Sequence, residues 1–329
     1  DNTTWANSSH QANVNLTVSN DIYTNAGANY INVKSLTANT ITANRGSNNI
    51  VAGNGTNSIS GTITANGGNN NITLGGSSNT VSAISATRGR NTITFSNSSA
   101  TTNKITGNIS AAVPSGNQNP FNVIISQSGL ALGNGSDISI SAKDVSFYAS
   151  ARNFIDLKGD LTLGSNLSIS ATQTTSDYTT SGVKNIIKIG GNIANDNSYK
   201  VTELSTSIAN GASDSKTFNI LSIDGSSDST LTITKINQSG TSTGYNYIGK
   251  NITRNSGDAL ALIDDFASTW ANSSHQANLN LTVSEGIYIN GGANYINVKQ
   301  IALTNGITTN RGSNNIVATN AGLNTITGD

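Results

Sequence analysis

The 329 residues contain no cysteine, no methionine and only two prolines, Pro114 and Pro120. Without cysteine there are neither disulfide staples nor thiolate metal sites. The same absence suits a protein that crosses an oxidising periplasm without cross-linking. Charge is scarce, at 10% of residues, and 17 basic side chains balance 17 acidic ones. No net field therefore draws the chain to nucleic acid or to an anionic membrane. No apolar run approaches the roughly 18 to 20 residues that a membrane-spanning helix requires. With no initiating Met and no signal peptide in view, we expect a mature segment or an excerpt.

Small polar residues fill the space left by these absences. Asparagine alone accounts for about one residue in six or seven, well above its ordinary share. Such a composition could stay disordered. Against that, 35% of residues are hydrophobic, mostly Ile, Leu, Val and Ala set at regular intervals, which argues for burial.

The scarcest residues occur in twin segments. TWANSSHQANVNLTV (Thr4–Val18) and TWANSSHQANLNLTV (Thr269–Val283) hold both tryptophans, Trp5 and Trp270, and both histidines, His10 and His275. The likeness runs from Thr4–Lys34 to Thr269–Lys299, an offset of 265, with RGSNNIVA recurring at Arg45 and Arg311 after one inserted residue. We read residues 1–265 as one tandem unit, with 173–257 less regular and longer-looped. Residues 266–329 then open the next unit, stacked continuously on the first.

A shorter period lies inside the unit. ITANRGSNNI, ITANGGNNNI and ISATRGRNTI begin at Ile41, Ile63 and Ile84, and NSI, NTV and NKI end at Ile59, Val81 and Ile105. Repeats of 20-odd residues mean a solenoid. Alternating runs such as TIT, SIS and TVS bury one face, and Gly-rich joints supply sharp corners. The expected fold is all-β, a right-handed parallel β-helix with coils of about 19–25 residues and some lateral loops. At that period a unit holds twelve or thirteen coils, about 60 Å of axis. Ser256–Phe266 is the one weak helix candidate.

Stacked coils predict two core columns, Ile50–Ile72–Ile93 and Ile59–Val81–Ile105. Two residues before these lie Asn48, Asn70 and Asn91 on one side and Asn57, Asn79 and Asn103 on another. At about 4.8 Å spacing their amides can donate and accept along a ladder.

The middle of the chain resembles a known family. Asp137-Ile-Ser-Ile-Ser-Ala142, Gly159-Asp-Leu-Thr-Leu163 and Asn166-Leu-Ser-Ile-Ser-Ala171 resemble the G-[DN]-[LI]-x-[LI]-x-A repeats of filamentous-haemagglutinin-like adhesins. The Asn-rich coils over Ile41–Ile109 look like passenger domains of autotransporter adhesins. The resemblance implies a long secreted β-helix on a Gram-negative cell surface that binds hosts, surfaces or other copies of itself.

Chemistry is hard to find in the sequence. His10 and His275 are one repeat position occurring twice, with no acidic cluster or singular serine to complete a triad. Asp156 with Asp160, and Asp264 with Asp265, are pairs that chance supplies. GGNNNITLGG (Gly67–Gly76) carries Asn where a calcium-binding nonapeptide needs Asp. Glycine-rich runs lack the GK[ST] of a phosphate loop. Glycosylation sequons at Asn7, Asn15, Asn71, Asn97, Asn108, Asn134, Asn166, Asn251, Asn272 and Asn280 are what the composition alone would produce. Threonines do not hold one place in every coil, as a flat ice-binding face would require.

The expectation is therefore a non-enzymatic stalk or fibre segment without cofactor or metal. Its partners would be adjacent copies of the repeat and host or surface glycans or proteins, with no nucleic acid and no membrane span. The competing expectation is a polysaccharide-binding or polysaccharide-cleaving β-helix with its groove in the 173–257 loops.

Overall fold

A computed structural model describes residues 4–114, 119–145, 151–174, 182–194, 198–209, 216–240, 243–252, 268–319 and 324–327. Their 31 strands form one open parallel sheet, coiled as a β-helix. The helix candidate at Ser256–Phe266 lies outside the described residues.

Each turn builds three faces. In the early coils the first face stacks Ile41–Asn44, Ile63–Asn66 and Ile84–Thr87. Asn48–Ala52, Asn70–Leu74 and Asn91–Phe95 stack on the second. Thr56–Ile59, Ser78–Val81 and Thr102–Ile105 form the third. Alternation decides the inside: in Asn91–Phe95 the residues at positions one, three and five are buried and the two threonines between them are not. β-branched side chains suit these strands because they pack flat against the same residue one coil away.

The three apolar columns meet along the axis. Ile50, Ile72 and Ile93 are in register and at most 1% exposed, as are Ile59, Val81 and Ile105. Ile41, Ile63 and Ile84, all 0% exposed, complete the section from the first face. Burying each such side chain is worth about 1.5–3 kcal/mol, so a coil is stabilised chiefly by its neighbours above and below.

Coil length is less uniform than the early period implies. Register pairs on the first face step by 19, 22, 21 and 25 residues from Ile22 to Ile109. Beyond that they step by 31, 29, 35, 32 and 51 to Ile287. Nine coils therefore separate Ile22 from Ile287, where a constant 22-residue period gave twelve or thirteen. The stem keeps three faces per turn, though Ser229–Gly240 and Gly292–Leu303 each run on over two of them as one strand. Added residues fall between strands, as between Asp144 and Arg152 or Gln173 and Val183. At about 4.8 Å per coil the unit is about 43 Å long rather than 60 Å.

Corners constrain sequence by contact. A Cβ on Gly89 would lie 2.0 Å from the carbonyl oxygen of Gly68 one coil earlier, so this corner admits only glycine.

Candidate functional site: the asparagine spine and the unit junction

From Asn29 to Asn294 the second face carries in each described coil a buried asparagine two residues before an Ile or Leu, and an exposed one, Asn314, follows. Asn48 Nδ2 donates to Asn70 Oδ1 at 2.9 Å, and Asn70 Nδ2 to Asn91 Oδ1 at 2.8 Å. The series is longer than those three. It starts at Asn29 and runs on from Asn91 through Asn122, Asn153, Asn185, Asn219, Asn246 and Asn294 to Asn314, each link 2.7–3.1 Å. All ten links point the same way.

The amides also tie this face to the first. Asn48 Nδ2 donates a second bond to the Thr64 carbonyl at 2.7 Å, Asn70 to Ser85 at 2.8 Å and Asn91 to Ser110 at 2.7 Å. Both donors and the oxygen of each amide are thus engaged inside an otherwise apolar corner. A buried amide is tolerated only when satisfied in this way. The eight rungs beyond Asn48, Asn70 and Asn91 do carry a signal, N-x-[IL], as in Asn122-Val-Ile and Asn219-Ile-Leu. Steps that grow to 31, 34 and 48 residues hide it from a search at fixed period.

A shorter ladder serves the corner between the second and third faces. Asn57 donates to Asn79 and Asn79 to Asn103, each at 2.8 Å. Asn57 Oδ1 receives the Leu36 amide at one end, and Asn103 ends the run on the hydroxyls of Ser126 and Ser128.

The twin segments occupy equivalent places. Trp5 packs edge-on to Tyr30 at 5.5 Å and Trp270 to Tyr295 at 5.8 Å. Asn32 donates to the Trp5 carbonyl, and Asn297 to that of Trp270, both at 2.6 Å. Ser8–His10 and Ser273–His275 each form one 3-10 turn. His275 clips this turn to the coil before it: Nδ1 lies 3.0 Å from the Lys250 carbonyl, and Nε2 lies 3.1 Å from Thr269 Oγ1.

What differs between the copies is the coil before each. Leu279–Val283 pairs with Ser229–Ile233, and Gly292–Ile296 with Gly244–Ile248. Leu279 is consequently fully buried, whereas its twin Val14 is 47% exposed. Tyr295 stacks face to face on Tyr247 at 5.1 Å, and Tyr245 continues the pile to Phe218. Burial, with Tyr245 nearby, raises the Tyr295 phenol above its ordinary 10.0. Tyr30, the twin of Tyr295, is 46% exposed.

The carboxylates singled out from sequence do not form a pair. Asp156 sits mid-strand on the second face in register with Lys188, while Asp160 Oδ1 accepts the Asn192 amide at the next corner. Asp264 and Asp265 lie outside the described residues. Within 173–257, Asp224 accepts from Ser222 and the Asn251 amide, and Asp228 pairs with Lys299. Among the described residues no group of three or more His, Asp or Glu side chains could hold a metal ion. There too, no helix is long and apolar enough to cross a membrane. The sequon asparagines are all exposed or half-exposed, and none belongs to either ladder.

No family model matches the chain, and no curated protein or solved structure matches it.

Proposed function

We propose that this chain is a segment of a non-catalytic, extracellular fibre or stalk, built from tandem units of about 265 residues on a Gram-negative cell surface. Its work is adhesion, aggregation or matrix formation. One observation carries the reading: a second copy of the opening coil continues the stack without a seam. The spine crosses the unit boundary through Asn246 and Asn294 at 2.7 Å, and the apolar column crosses it through Ile248 and Ile296. A lateral binding module or an enzyme with one active groove has no need of a surface that propagates itself.

The resemblance to filamentous-haemagglutinin-like and autotransporter adhesins supports the same reading, as does a surface of small polar side chains with little charge. The test is imaging of cells that make the protein, with antibody against the TWANSSHQAN segment. Filaments decorated at a regular interval of about 43 Å are expected. Label confined to the cell interior, or soluble protein without filaments, would refute the proposal.

A further inference from the structure

Where the first face turns into the second, Arg45, Gly67 and Arg88 occupy one stacked position in successive coils. Their backbone amides donate to Asn66, Thr87 and Ala112 carbonyls, each at 2.6 Å. All three have positive φ, at 69°, 99° and 67°. Among the described residues Asn251 is the one other non-glycine in that region. Glycine fills the middle coil without harm, so the turn itself requires no side chain. An arginine held in a backbone conformation that disfavours it points to a use for the arginine.

These residues floor an open groove of about 620 Å³, walled by Asn44, Asn66, Thr87 and Pro114. Both arginines are exposed, and neither guanidinium has an ion-pair or hydrogen-bond partner among the described residues. No ion pair holds either one among the described residues, and the carboxylate that stands two coils beyond Arg88, Asp144, is fully buried. From Ile22 to Ser136 the sequence has no Asp or Glu but has Lys34, Arg45, Arg88, Arg90 and Lys104. Asp21 stands at the other end of the first-face strand, against Asn39. The balanced charge of the whole chain thus conceals a cationic corner.

We propose that this groove binds an extended acidic polysaccharide. Two coils put the guanidinium-bearing positions about 9.6 Å apart, which is close to the length of a disaccharide. Each guanidinium can grip one carboxylate or sulfate with two parallel bonds. The amides of Asn44 and Asn66 and the Thr87 hydroxyl offer donors and acceptors to the sugar hydroxyls between. Single-stranded nucleic acid fits less well, since no aromatic ring lines the groove for bases to stack on. Duplex nucleic acid calls for a longer row of cations than two. This names a ligand for the adhesive reading and rests on it for the extracellular setting. The binding is assayed on the single chain, so it succeeds or fails separately from fibre growth.

The experiment immobilises the chain and titrates heparin, polygalacturonate, neutral dextran and a single-stranded oligonucleotide. Binding to heparin or polygalacturonate, weakening as salt rises, is expected, and none to dextran. Heparin alone would assign sulfate as the group gripped, and polygalacturonate alone would assign carboxylate. Joint replacement Arg45→Gly and Arg88→Gly should weaken binding about tenfold or more, while Lys104→Gln on the third face leaves it unchanged. The melting temperature should hold or rise, because glycine suits positive φ. Arg45→Asn with Arg88→Asn, which also tolerates that backbone, should show the same loss. The proposal is overturned if neither acidic glycan binds, if the arginine variants bind as the parent does, or if Lys104→Gln loses as much. An oligonucleotide held more tightly through the same arginines would overturn it equally.

Discussion

Asn70 is 0% exposed and accepts a bond from the coil before while donating to the coil after. Leucine there has a similar size but breaks the chain of amides, leaving the Asn91 oxygen without its donor. Asn70→Leu should cost about 1–3 kcal/mol despite adding apolar volume to a buried site. A thermal melt that matches the parent would remove the spine from any account of stability. Two adjacent corner residues make a sharper contrast. Gly89→Ala drives a methyl to within 2.0 Å of the Gly68 carbonyl oxygen, and overpacking of this kind costs about 1–3 kcal/mol. Arg88→Gly, one residue earlier, relieves a positive φ of 67° and should leave the melting temperature unchanged or raise it. If both changes destabilise alike, backbone geometry does not decide which residues this corner admits.

At the scale of the element, the chain carries its own control. The strand Ala12–Val18 and the strand Ala277–Val283 have nearly the same sequence, yet every apolar residue of the second is buried and none of the first is. Leu279→Ala should therefore cost about 2–5 kcal/mol, since a cavity opens beneath Ser229–Ile233. Val14→Ala, at the twin position, should stay within about 0.5 kcal/mol in the 329-residue chain and cost more once a preceding unit is joined to it. Equal losses in chemical denaturation would mean that neither copy is packed as described. This element scale is also where sequence reading reached its limit. Over Ile41–Ile109 the coils differ by only a few residues, so aligned Ile and Asn revealed face, register and ladder together. Further on, the same N-x-[IL] rungs persist at Asn153, Asn185 and Asn219, but insertions between strands stretch their spacing. A solenoid sets how strands stack and leaves the length between strands free, since the rungs stay in register whatever that length is. The coil count therefore could not be obtained by dividing the unit by its early period. The cationic corner was missed for a related reason. Net charge sums over faces that the fold separates, and arginine gives no sequence sign that its backbone sits at positive φ.

The whole molecule is a stack in which each coil contacts mainly its two neighbours, so stability and length should both grow by addition. The spine makes that growth directional, because every amide donates toward the following coil. Trp5 and Trp270 then mark equivalent points one unit apart along the axis, in like surroundings beside Tyr30 and Tyr295. Neither His10 nor His275 completes the other, since nine coils lie between them. The measurement that bears most directly on this account compares chains of one, two and three complete 265-residue units by electron microscopy. Each added unit should lengthen the particle by about 43 Å at constant width, nine coils at the strand spacing. Particles that thicken or fold back as units are added, or that bring Trp5 and Trp270 into one pocket, would contradict it.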